Sequence, residues 1–257
     1  MNQGIKRLVK AICRRFGFTI HPISTDRGLI DFLWDRKIDV VIDVGANAGQ
    51  FGEMLRSSGY RGRIISLEPI ESAFQILSRK ASADGNWEAH HCGLGATAGE
   101  AVINVSELTV FSSLLTVTDA ATQFDKRAAV ARTEVIRLST LDEVAARLTD
   151  RILLKIDTQG YEKQVLEGGR QTMSRLYGVW MELPIIHFYE GTWKFHEAIE
   201  FMEQFDFVPA QIHPVSYYAT DPVSVSEVDC LFRPRDRSFA TQGAIAESAN
   251  SELPTKQ

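Results

Sequence analysis

The chain has 257 residues and a formal net charge of −5. That length suits one domain with short extensions, and a net acidic chain is a poor general binder of nucleic acid. Three cysteines (Cys13, Cys92, Cys230) are odd in number and lack metal-ligand spacing, so they read as reduced thiols of a cytoplasmic protein; neither a signal peptide nor a membrane-length apolar run is evident.

Residues 1–25 carry five basic side chains (Lys6, Arg7, Lys10, Arg14, Arg15) and no acid. Ile5, Leu8, Val9, Ile12 and Phe16 fall on one helical face. Such a basic amphipathic helix has two readings. It packs on the domain with its charges in water, or residues 2–16 lie peripherally on the anionic inner face of a membrane. Thr25 or Asp26 then caps a short helix carrying Leu29, Ile30, Leu33 and Trp34. Residues 1–37 are thus expected to be a helical extension ahead of the domain.

Val40, Val41, Ile42 and Val44 form a β-branched run, the pattern of a strand buried on both faces. The run stops at Gly45, Gly49 follows, and a helical pattern (Phe51, Met54, Leu55) begins at once. Strand, glycine turn and helix make the opening of a nucleotide-binding βαβ unit, with free helix N–H groups aimed at the turn. A dinucleotide fold requires G-x-G-x-x-G. Here the glycines are Gly45-x-x-x-Gly49, and neither Lys nor Arg lies between Asp43 and Leu55 to meet a phosphate. S-adenosylmethionine (SAM) fits better, because it carries a sulfonium, an ammonium group and a ribose but no phosphate. Asp43, Gly45, Ala46, Asn47 and Gly49 are the expected first wall of its site. The second apolar run, Arg63 to Leu67, ends in Glu68-Pro69; Glu68 is placed to accept both ribose hydroxyls, a feature that NAD sites share. The plainer alternative for Asp43 and Glu68 is capping of the helices that follow.

Ile70 to Ala83 reads as a helix and Trp87 to Leu94 as strand three. The turn at Gly93 and Leu94 then falls at the carboxyl end of the sheet, where adenine is expected. His90 and His91 are adjacent, point to opposite faces of a strand and read as structural. Gly99 to Val105 suggests an extra hairpin strand. Glu107 to Arg132 is a long polar loop, either a lid or a surface insertion. Glu134 to Leu138 is a short strand, and Ser139 or Thr140 caps a helix with Leu141, Val144, Ala145 and Leu148.

Ile152-Leu-Leu-Lys-Ile-Asp157 is a further buried strand tipped by an acid, followed by Thr158-Gln159-Gly160 and a helix bearing Glu162. Three stretches taken together resemble the FkbM-type SAM-dependent methyltransferases. They are Asp43-Val-Gly-Ala-Asn-Ala-Gly-Gln, Ile65-Ser-Leu-Glu-Pro and Leu154-Lys-Ile-Asp-Thr-Gln-Gly-Tyr-Glu162. The likeness runs from about Ile38 to Arg233. It implies an α/β, Rossmann-like class I methyltransferase fold: seven strands, mostly parallel, with a reversed last strand and helices on both faces. It also implies methyl transfer to hydroxyl oxygens of sugars or polyketide-like products.

In that fold the short helix before strand one closes a side of the cofactor pocket, and Asp157 lies beside the methyl end. The strand Gly178 to Glu182 is a neighbour of Ile152 to Asp157, so a Lys155–Glu182 ion pair is expected, since a lysine in an apolar strand needs a partner. The loop after Glu182 carries His187. An alcohol must lose its proton as it attacks a methyl group, and a positioned base contributes roughly 10²- to 10⁴-fold. Asp157, His187 and Glu182 are the candidate catalytic residues, with the base left open between His187 and Asp157. Asp157, Glu162 and Glu182 could hold a divalent metal, although no spacing indicates one.

Trp193 to Phe205 is an amphipathic helix, and Asp206 to Ile212 and Val225 to Phe232 are the final antiparallel strands. The loop between them, with His213, Tyr217 and Tyr218, is expected to border the acceptor. Residues 38–235 are the expected methyltransferase domain and 236–257 an expected disordered tail. The function that follows is SAM-dependent O-methylation, most simply of a deoxysugar in a glycolipid or oligosaccharide. A polyketide-type alcohol, a nicotinamide-dependent reductase and a non-catalytic SAM-binding protein are the competing readings.

Overall fold

The computed structural model describes residues 26–218 and 221–235. The basic N-terminal stretch, with its membrane-contact reading, and the tail at 236–257 lie outside the described residues.

Two strands set the frame: β1 (Val40–Val44) and β7 (Ile152–Ile156), in which every residue is buried. They pair in parallel, and β2 (Arg63–Leu67), β3 (Trp87–His90) and β8 (Leu176–Pro184) extend the sheet in the same sense. The full order is β3-β2-β1-β7-β8-β10-β9, with β10 (Asp221–Pro234) antiparallel to both β8 and β9 (Phe207–Tyr218). This is the seven-stranded class I methyltransferase sheet, with its last strand reversed.

Strand alternation divides the core in two. Val40, Ile42, Val44, Leu154 and Ile156 join one apolar cluster with α5 (Leu141–Ala145), α6 (Glu162–Glu167), α7 (Arg170–Met173) and α8 (Phe195–Glu203). Val41, Leu153 and Trp180 join the other, with α1 (Asp26–Asp35), α2 (Gln50–Ser57) and α3 (Glu71–Ser82). In α1 the buried face is Leu29, Phe32 and Leu33, while Trp34 is 56 % exposed rather than part of it. The reason is helical spacing: Leu29, Phe32 and Leu33 stand at i, i+3 and i+4, and Trp34 falls off that stripe.

Three sequence expectations change. Strand three ends at His90, and β4 (Gly93–Leu94) leaves to pair with β6 (Val130–Ser139) in a second, three-stranded sheet with β5 (Gly99–Ser106). Gly93 permits this, because a Cβ there would stand 2.9 Å from the Leu138 side chain of β6. The stretch 107–132 is ordered by its own apolar cluster, in which Phe111, Leu115, Val117 and Phe124 pack on Ala121, Ala128, Phe188 and Tyr189. It includes α4 (Asp119–Phe124) and ends inside β6. Within the expected loop at 211–222, residues 211–218 and 221–222 are instead the outer part of a long β9–β10 ribbon.

Candidate cofactor and acceptor site

The carboxyl ends of β1, β2, β7 and β8 converge on Gly45. Its φ is +74°, and a Cβ there would lie 1.8 Å from the main-chain oxygen of Asp157. Only glycine lets the β1 and β7 turns approach this closely. Asn47 follows, also left-handed (φ +46°), a conformation that Asn tolerates better than most residues. Its N–H donates to Glu68 Oε2 at 2.8 Å, and its side-chain amide donates to Thr109 Oγ1 at 3.1 Å. The glycine turn is thereby tied to the second strand on one side and to the 107–132 segment on the other.

Two chambers meet at this turn. The first, about 270 Å³, is walled by Glu68, Pro69, Gly93 and Leu94 and roofed by Ile103 and Ile136 of the small sheet. The second, about 370 Å³, is walled by Ala46, Gln50, Phe51, Lys155 and Asp229, with Leu29 of α1 closing one side. Gly45, Asn47, Val110, Asp157 and Glu182 line both and mark the junction.

Among the cofactor residues expected from sequence, the structure brings Gly45, Ala46, Asn47, Glu68, Pro69, Gly93 and Leu94 to these walls. It does not bring Asp43 or Gly49 there. Gly49 is the left-handed N-cap of α2. Asp43 is fully buried behind the turn, where Oδ1 lies 3.0 Å from Lys155 Nζ and Oδ2 accepts from Ser66 Oγ. Asp157 and Glu182 reach the junction, whereas His187 lines neither chamber and meets the 107–132 segment through its main-chain oxygen, which accepts from Thr118.

The expected Lys155–Glu182 pair is replaced by Lys155–Asp43, with Asp157 Oδ2 at 3.6 Å and the Gly45 oxygen at 3.3 Å. Register is the cause. Asp43 lies directly opposite Lys155 across β1–β7, whereas on β8 the residue opposite is Trp180 and Glu182 stands two positions further on. Burial works against the Lys155 charge, but Asp43 and then Asp157 outweigh it and hold the ammonium above the usual lysine range.

The Asp157 turn is built by its neighbours. Gln159, at φ +56°, donates to Asp157 Oδ1 at 2.8 Å, and Tyr189 Oη sits 2.8 Å from Gln159 Oε1. Glu162 Oε1 accepts from the N–H groups of Thr158 and Gly160 and from the Thr158 hydroxyl, each at 3.1 Å. Burial pushes Glu162 up to about 7 against these bonds. Glu68 is likewise raised to about 7 by burial, opposed by the Ile70 and Asn47 N–H groups.

Sequence reading missed Glu227 of β10, which lines the first chamber, and Asp229, which lines the second and faces Glu182 in register. Their signal was acids at alternate positions of an otherwise apolar strand. Among the described residues, no group of three or more His, Cys, Asp or Glu side chains is arranged to hold a metal ion.

The donor set fits SAM. An apolar slot ends at the carboxylate of Glu68, a group able to accept from hydroxyls, and the junction carries the carboxylates of Asp157 and Glu182, the charge that suits a positive sulfur. Among the described residues Lys155 is the one basic side chain on either wall, and it is paired with Asp43. When bound, SAM supplies a strongly activated methyl group.

Similar folds occur in an rRNA methylase from Streptococcus thermophilus, at 12 % identity over 84 % of this chain and 100 % of that one, with a TM-score of 0.47. They occur also in an S-adenosylmethionine-dependent methyltransferase from Clostridium acetobutylicum, at 8 % identity over 81 % and 89 %, with a TM-score of 0.43. No match was found among curated proteins. Residues 43–209 match the methyltransferase FkbM domain, a span that holds the glycine turn, Glu68, Asp157 and Glu182, and the chain belongs to that family of SAM-dependent methyltransferases.

Proposed function

We propose that the protein transfers the methyl group of SAM to a hydroxyl of a neutral, polyhydroxylated acceptor, a deoxysugar of a glycolipid or oligosaccharide. One observation carries this reading. The lining of the first chamber includes Asp157, Glu182 and Glu227 together with the amide of Gln159. Carboxylates and amides are good partners for hydroxyl groups, and they disfavour an anionic acceptor. The chain's own contribution is alignment and charge. Gly45 and Asn47 fix the turn, Glu68 orients the ribose, Asp157 is braced by Gln159 and Lys155, and Glu182 faces the developing product. His187 is no longer a candidate base in this reading, because its side chain lies outside both chambers.

No helix among the described residues is long and apolar enough to cross a membrane. A cytoplasmic enzyme meeting its lipid-linked acceptor at the inner membrane face, through residues 2–16, is the arrangement we favour. The test is incubation of purified protein with methyl-labelled SAM and matched glycolipid fractions, intact and deglycosylated. Label in the intact fraction alone supports the reading. Label in both, or in added polyketide alcohols or amines instead, sinks the sugar assignment. A protein that binds SAM but labels nothing is a binding protein.

A further inference from the structure

The carboxylates at the junction do more than the cofactor reading requires. Glu182 lines both chambers and also a third cavity of about 20 Å³, room for a single water. Glu227, on the adjacent strand, lines the first chamber and the third cavity. Across the β8–β10 pairing Glu182 stands opposite Asp229, and Glu227 is the next residue on that face, so the two carboxyls border the small cavity together; Ser216 Oγ donates to Glu227 Oε2 at 2.8 Å. Into the same small cavity faces Glu162, 2 % exposed, whose Oε2 has no partner.

The surroundings are acidic on every side. Asp157 lines the first chamber together with the pair, and Asp229 stands opposite Glu182 on β10. Glu162 and the Tyr189 phenol border it across the small cavity. The nearby cation, Lys155, is committed to Asp43 and Asp157, and among the described residues no cation pairs with Glu182 or Glu227. Two neighbouring, half-buried carboxyls that face further acids ionise one after the other, so the pair holds a proton beyond the ordinary carboxylate range. Burial raises both, and Asp157 and Glu227 raise Glu182 further.

We propose that the Glu182–Glu227 pair holds one proton in the free protein and releases it to solvent when a sulfonium is seated at the junction, so that the proton acceptor for the substrate hydroxyl forms only once the methyl donor is in place. This rests on the reading of the two chambers as a SAM site. The step breaks one carboxyl O–H bond. The proton goes to water or buffer, and the second negative charge left on the pair is balanced by the positive sulfur. The ionised pair can then take up the proton that the acceptor hydroxyl loses, which returns it to its starting state. Glu227 is thereby assigned a catalytic role.

Calorimetry with SAM and with S-adenosylhomocysteine, at pH 7 in buffers of different ionisation enthalpy, tests this without any acceptor. The two ligands share adenosine and amino-acid groups, so the difference in protons released reports the charge on sulfur. Wild type should release close to one proton more with SAM than with S-adenosylhomocysteine. Glu182→Gln and Glu227→Gln, each keeping the side-chain shape, should bring that difference near zero while both ligands still bind. Equal release in wild type, or a full difference surviving in either variant, overturns the proposal. If one variant fails to fold, the other gives the answer. Failure of wild type to bind either ligand instead overturns the cofactor reading, and the proposal with it.

Discussion

Replacing Gly45 by alanine should break the site from its centre. The residue sits at φ +74°, where a side chain costs about 1–2 kcal/mol. The larger effect is contact. The new Cβ would lie 1.8 Å from the Asp157 oxygen, whereas real Cβ atoms stay beyond 3.0 Å, so the two turns must part by more than an ångström. Asp157 is held to β1 by its N–H to the Val44 oxygen at 3.0 Å, so the displacement carries the junction with it. A misplacement of that size costs on the order of 10²-fold in function. Gly59→Ala is the control: φ is +95°, but the nearest atom to its Cβ would be Trp34 at 3.9 Å, so it bears the backbone strain alone. Urea unfolding and calorimetric SAM titration of both variants decide the matter. Gly45→Ala should lose at least about 3 kcal/mol of stability and weaken SAM binding by about 10²-fold. Gly59→Ala should lose about 1–2 kcal/mol and bind as wild type. If Gly45→Ala binds SAM within twofold of wild type, the close approach of β1 and β7 is not what shapes the pocket.

Lys155→Met leaves Asp43 buried without its cation, and should destabilise the fold by about 3–5 kcal/mol in a urea melt; a loss under about 1 kcal/mol would mean the pair contributes little. Glu68→Ala removes the ribose acceptor and should weaken SAM binding by about 10- to 100-fold, whereas unchanged affinity would leave Glu68 as a turn residue only. Glu162 has a folded pKa of about 7, above its unfolded value, so the folded state holds this proton more tightly. Its contribution is therefore greatest below about pH 4.5 and is lost as pH rises to about 7. Glu162→Gln should flatten that part of the stability profile and raise stability at pH 8 by on the order of 2–3 kcal/mol, read by thermal unfolding across pH; a profile as steep as wild type would assign the slope to other groups.

The frame of this protein was readable because β1 and β7 are buried on both faces, which leaves an unbroken apolar run that suits little else. Gly45 and Glu68 were placed at strand ends by such runs, and both line the first chamber. What stayed hidden depended on register and on contacts distant in sequence. Neighbouring strands suggested Glu182 as the partner of Lys155, but only the pairing of β1 with β7 shows that Asp43 stands directly across from the lysine. Glu227 and Asp229 reach the site because β10 inserts between β8 and β9, an order that the two antiparallel strands do not reveal from their own residues. The 107–132 segment looked polar because its apolar residues are spaced irregularly, and they form a cluster only with Phe188 and Tyr189 from beyond β8.

The ring of acids at the meeting of the chambers also bears on turnover. Methyl transfer leaves sulfur neutral, so the spent ligand loses the attraction that seated its precursor. With the sulfur seated at this junction as proposed, a wall of this sign would favour departure of the product over the donor and lessen inhibition by accumulated thioether, with no moving part needed to expel it.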